Sequence, residues 1–131
     1  AQAEAGLDAS FAAVIVEPAA INPGCFTPPP GFLETLRAKA TEHGIVLIYD
    51  EVITGFRLGL GGAQARYGVL PALTVLGKVL GGGLPIGAVC GGADVMKDVA
   101  SGRLLHRGTF NGNPLSMAAG LACVSHLRET A

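Results

Sequence analysis

The sequence predicts an α/β fold built on a mostly parallel sheet with one antiparallel strand. Three observations predict it. Four short apolar runs, at 13–16, 45–49, 74–76 and 87–90, have the length and composition of strands. An amphipathic helix separates the first two, which makes a strand–helix–strand unit with parallel strands. The link between the third and fourth runs, 78–86, is too short and too glycine-rich for the crossover of about a dozen residues that a parallel return needs.

Taken in order, the first two runs are rich in β-branched and aliphatic residues and do not alternate with polar ones, as strands covered on both faces do not. The helix is expected over 32–43. Phe32, Leu33, Leu36 and Ala40 fall at helical spacing, and Glu34, Arg37, Lys39 and Glu42 take the other side. Pro28, Pro29 and Pro30 exclude helix interior and mark the loop leading in. Gly44 stands where a helix end favours positive φ. The connection 53–70 is broken by Gly59, Gly61 and Gly62, with one short helix over 63–67. A helix over 94–101 and a loop over 102–112 follow. Asn113-Pro114 reads as an N-cap with proline at the first helical position. The last helix runs to about Arg128. It is apolar nearly all round, so burial is expected for it.

Composition narrows the function classes. Charged residues make up 15% of the chain, hydrophobic residues 50%, and glycine 20 of 131 residues. An ordinary domain has about 25% charged residues and about 7% glycine. Disorder is excluded, and a subunit or piece that buries much of its surface is expected. The net charge is −1 with no basic run, which speaks against nucleic acid. Prolines and glycines interrupt the apolar runs, so no membrane span is expected. Cys25, Cys90 and Cys123 are odd in number and widely spaced. They read as core residues of a protein in a reducing compartment such as the cytoplasm. His43, His106 and His126 lack metal-ligand spacing, so no metal is expected. Both ends are expected to be cut, the first within an acidic, alanine-rich stretch and the last within a helix.

Ligands of open α/β sheets sit beyond the carboxyl ends of the strands. Glu17, Asp50-Glu51 and Lys78 fall there after the first, second and third strands. Neighbouring strands are about 4.8 Å apart, so Asp50 and Lys78 can approach opposite ends of one small aromatic ring. Gly77-Lys78 fails the phosphate-loop pattern, because Ala72 and Val79 occupy its glycine and hydroxyl positions. No dinucleotide-binding glycine pattern follows a strand. A partly buried lysine before Gly81, Gly82 and Gly83 suits an amine nucleophile; a surface loop lysine fits the spacing as well. Asp50 can pair with a ligand cation, cap a helix, or bridge to Arg57 or Arg66.

Longer motifs decide between these readings. Val16-Glu17-Pro18 with Asn22, Asp50-Glu51-Val52-Ile53-Thr54-Gly55-Phe56-Arg57 and Gly61-Gly62-Ala63-Gln64 come first. Leu76-Gly77-Lys78 through Ala88 follows, then Gly108-Thr109 and Gly112-Asn113-Pro114. In this order and spacing they resemble the class III pyridoxal-phosphate aminotransferases, and within them the glutamate-1-semialdehyde aminomutase subgroup. The resemblance runs from Val14 to Gly120.

It implies the large, cofactor-binding domain of the PLP fold-type-I enzymes, with residues 1–131 forming part of it. The family's N-terminal third and C-terminal small domain would lie outside this chain. It implies pyridoxal 5'-phosphate as cofactor, an amino acid or aminoaldehyde as substrate, and a homodimer. Lys78 would be the Schiff-base lysine and Asp50 the partner of the pyridine nitrogen. Val52 would pack on one ring face, and Asn22 would lie near ring and substrate. Thr109 would reach the phosphate held by the neighbouring subunit. Ala72 replaces the aspartate usual in the family, at no catalytic position. Phe110-Asn111 replaces the subgroup's usual Leu-Ser, as in some other class III enzymes. The activity implied is aminomutase conversion of glutamate-1-semialdehyde to 5-aminolevulinate, or ordinary transamination of ω- or β-amino acids. A phosphate-binding or non-catalytic fragment is the reading outside that family.

Overall fold

A computed structural model describes residues 6–130. The acidic, alanine-rich opening (1–5) and Ala131 lie outside the described residues. The elements are β1 (Ala13–Val16), α1 (Phe32–Glu42), β2 (Val46–Glu51), α2 (Gly62–Tyr67) and β3 (Leu73–Leu76). A 3₁₀ turn (Lys78–Gly81), β4 (Ala88–Gly91), α3 (Ala93–Ala100) and α4 (Pro114–Thr130) complete the chain.

The sheet order is β1-β2-β3-β4. β1 and β3 run parallel to β2, and β4 is antiparallel to β3, as the short link before it requires. α1 lays Leu33, Leu36 and Ala40 against Ile45, Leu47 and Tyr49, which with Val69 form the buried core. Gly44 ends this helix at φ 68°, a conformation costly to residues with a Cβ. Asn113 caps α4, its Oδ1 accepting from the N–H groups of Leu115 (3.0 Å) and Ser116 (3.3 Å).

Three expectations of burial are corrected. β2 alternates half-buried and buried residues, and Ile15 of β1 is 62% exposed. Among the described residues, α1 covers one sheet face and the other lacks an equivalent layer. α4 buries only Ser116 and Gly120, while Leu115, Met117 and Leu121 are exposed. Its main packing is against the 3₁₀ turn, where the Cys123 thiol lies 3.1 Å from the Val79 carbonyl. Cys25 and Cys90 are exposed and Cys123 half-buried, so the cysteines are not core residues. Cys25 sits on a loop and Cys90 on the edge strand β4, while Cys123 sits on the flank of α4 that meets the 3₁₀ turn.

No helix among the described residues is long and apolar enough to cross a membrane. Nor do any three His, Cys, Asp or Glu side chains among them gather as a metal-binding group.

Candidate active site

The carboxyl end of the sheet is assembled by register. Val16 pairs with Tyr49, so Glu17, the first residue past β1, comes out beside Asp50 near the end of β2. Glu51 pairs with Leu76, and the chain reaches Lys78 two residues beyond β3. These exits line a cleft of ≈ 120 Å³ formed by Glu17, Asn22, Asp50, Val52, Ile53, Thr54 and Lys78. Four of the five expected site residues, Asn22, Asp50, Val52 and Lys78, are therefore brought together.

Thr109 is not among them. It stands in the exposed loop before α4, outside the cleft. A larger groove of ≈ 950 Å³ opens beside that loop, between the 3₁₀ turn and the start of α4. Its walls carry His106 and Asn113 but no amine or carboxylate. The smaller cleft is therefore the candidate site.

Lys78 is exposed among the described residues, which matches the surface-loop alternative that the spacing left open beside partial burial. It opens the 3₁₀ turn at the carboxyl edge of the sheet, beneath no covering element among the described residues. Its φ is 44°, one of three positive values outside glycine. Such a conformation costs about 1–3 kcal/mol and is typical of functional positions. Asp50 is half-buried. Its Oδ1 accepts the Val52 N–H at 3.1 Å, and Oδ2 has no hydrogen-bond partner among the described residues. It makes no ion pair with Arg57 or Arg66; Arg57 donates instead to the Ile53 carbonyl at 3.3 Å. Among the described residues the cleft thus offers a carboxylate oxygen and an amine that make no hydrogen bond, with the apolar Val52 in the same lining.

Glu17 is anchored more firmly. Its carboxylate accepts from the Ile21 N–H at 2.9 Å and from the Asn22 amide at 2.7 Å. The Asn22 amide, then the Ile21 N–H, and less strongly the charge of Lys78, hold its carboxyl below the usual carboxylate range.

The sequence alone did not show what Glu51 does. Its side chain is fully buried. It accepts from Thr54 Oγ1 (3.1 Å) and from the N–H groups of Ala63 (2.5 Å) and Gln64 (3.3 Å) at the start of α2. Gly62 turns there at φ 60°, and a Cβ on it would collide with the Glu51 carboxylate. The available signal was the glycine pair 61–62 opening a short helix, but the pairing spans 12 residues of sequence.

Comparison with known proteins agrees with this geometry. The family profile for class III aminotransferases matches residues 2–131. The chain belongs to the class III aminotransferases. Glutamate-1-semialdehyde 2,1-aminomutase of Desulfotalea psychrophila is 58% identical over 123 residues, 93% of this chain and 29% of that protein. Among solved aminotransferases, the β-phenylalanine aminotransferase of Variovorax paradoxus matches with TM-score 0.85 and 44% identity, over 92% of this chain and 29% of that one. A structure described as a transaminase with PLP bound matches with TM-score 0.82 and 37% identity, over 89% and 28%. The chain therefore spans under a third of the length of these aminotransferases. Class III aminotransferases depend on pyridoxal phosphate, so the cleft can be tested against that cofactor. A pyridine ring needs an anion at its nitrogen, an amine at its aldehyde, an apolar face and a polar partner for its oxygen. Asp50, Lys78, Val52 and Asn22 have those chemistries in one cleft.

Proposed function

We propose that this chain is part of the cofactor-binding domain of a cytoplasmic, homodimeric aminomutase converting glutamate-1-semialdehyde to 5-aminolevulinate. The observation carrying it is that the Lys78 amine and the free Asp50 oxygen face one cleft at the carboxyl edge of the sheet. The identity to aminomutases over nearly the whole chain supports the substrate.

Pyridoxal phosphate, when bound, supplies an electron sink for a carbanion at the amine-bearing carbon. The chain's own residues do the rest. Lys78 Nζ would hold the cofactor at its aldehyde and, when free, would serve as the proton-carrying base and acid of the site. Asp50 Oδ2 would hold a proton at the ring nitrogen. Val52 would shield one ring face from water, and Asn22 would orient ring and substrate. Thr109 stands near the N-terminal end of α4, where partial positive charge favours phosphate, and serves the neighbouring subunit's cofactor.

The second reading, an ordinary transaminase, is favoured by Phe110, 82% exposed beside Thr109, and by the likeness to β-phenylalanine aminotransferase. Two measurements on the full-length enzyme decide. Borohydride reduction followed by peptide mass spectrometry is expected to place the pyridoxyl adduct on Lys78; an adduct on Lys39 or Lys97 overturns the site. Turnover of glutamate-1-semialdehyde without a keto acid is expected. Activity only with an added keto acid means the ordinary transaminase.

A further inference from the structure

Glu17 has no role in the chemistry above, yet it lines the cleft and is tied to Asn22. We infer that Glu17 is a positioning residue: it fixes which way the Asn22 amide faces the cofactor ring. The inference rests on the proposed site.

An asparagine amide has two nearly isosteric orientations that exchange donor for acceptor. An exposed asparagine would sample both. Asn22 is exposed, and its backbone lies in the turn that leaves the sheet after β1. The Glu17 carboxylate can only accept, so its 2.7 Å contact requires the amide NH₂ on that side. The Asn22 carbonyl oxygen and the second amide hydrogen are thereby set in one orientation. Glu17 is held in turn by the Ile21 N–H at 2.9 Å, so the clamp closes on the backbone of the same turn. Its carboxyl is ionised at neutral pH, and the Asn22 and Ile21 contacts lower its titration further, so the acceptor stays charged. A neutral glutamine in its place has a donor as well as an acceptor and permits the reversed amide.

The test is a double-mutant cycle in the full-length enzyme with Glu17→Gln and Asn22→Ala. Cofactor affinity and the visible absorption band of the bound cofactor are read alongside kcat/KM. Each single variant is expected to weaken cofactor binding several-fold, a modest loss because the contact is exposed, and to displace the absorption band in the same direction. The double variant is expected to match Asn22→Ala alone, because Glu17 acts through Asn22. Additive losses, or an unmoved band in Glu17→Gln, overturn the inference. The wild-type adduct separates this failure from a wrong site. With the adduct on Lys78 and additive losses, only the role of Glu17 falls; with the adduct elsewhere, the site and this inference fall together.

Discussion

Tyr49, Asp50 and Glu51 are consecutive on β2, yet the two faces of that strand put them in different environments. Tyr49 and Glu51 share the face that α1 and α2 cover, and both are fully buried. Asp50 points the other way, half-buried in the cleft, with one oxygen unpartnered. Strand alternation alone makes this separation. A buried carboxylate with three donors is a structural part; an open one with spare acceptor capacity is available to a ligand. Substitutions along this one strand should therefore divide into losses of rate and losses of stability.

The largest expected effect is on rate. Asp50→Ala in the full-length enzyme removes a charge-assisted contact at the ring nitrogen and should slow turnover by about 30- to 1000-fold, or 2–4 kcal/mol. Its unfolding midpoint in urea should stay near wild type, because Asp50 accepts only one local N–H. Unchanged turnover would reduce Asp50 to a turn residue and erase the contrast with Glu51.

Glu51→Gln should do the reverse. The amide can accept only at its oxygen, and because Ala63 and Gln64 donate to different carboxylate oxygens, its NH₂ would face one of these two N–H groups. One buried donor left unpaired costs about 1–3 kcal/mol. Urea unfolding should show that loss, with kcat/KM little altered wherever the protein stays folded. A variant of normal stability but low activity would place Glu51 in the chemistry.

This division explains how much the sequence told. Local signals were legible: the strand runs, the Asn113 cap, the Gly44 terminus and the antiparallel return each depend on a few adjacent residues. The cleft was legible because parallel strands deliver their ends to one edge. Glu51 was not, since its partners lie on a helix that only tertiary packing brings back. α4 misled for a related reason. An apolar surface marks a face that needs covering but does not say whether this span of chain covers it. The same holds for the cysteines, whose apolar character said nothing of their place on loops and edges.

The smallest effect belongs to Tyr49. Its hydroxyl is buried and has no hydrogen-bond partner among the described residues. Burial, reinforced by the charges of Glu34 and Glu51, pushes its phenol up to about 12. The fold therefore favours the neutral phenol. That contribution is fully present below the ordinary value of 10.0 and is lost as the pH rises toward 12. Tyr49→Phe keeps the ring in the core and removes the unpaired hydroxyl, so stability at neutral pH should stay level or rise by up to about 1 kcal/mol. Between pH 10 and 12 the wild-type protein should lose stability that the phenylalanine variant keeps, because only the tyrosine must ionise there. Urea midpoints of both proteins across that range measure the difference. A clear loss at neutral pH in Tyr49→Phe would show that the hydroxyl has a partner in the full-length enzyme. Tyr49 would then resemble Glu51, with its polar group fully satisfied on the buried face of β2.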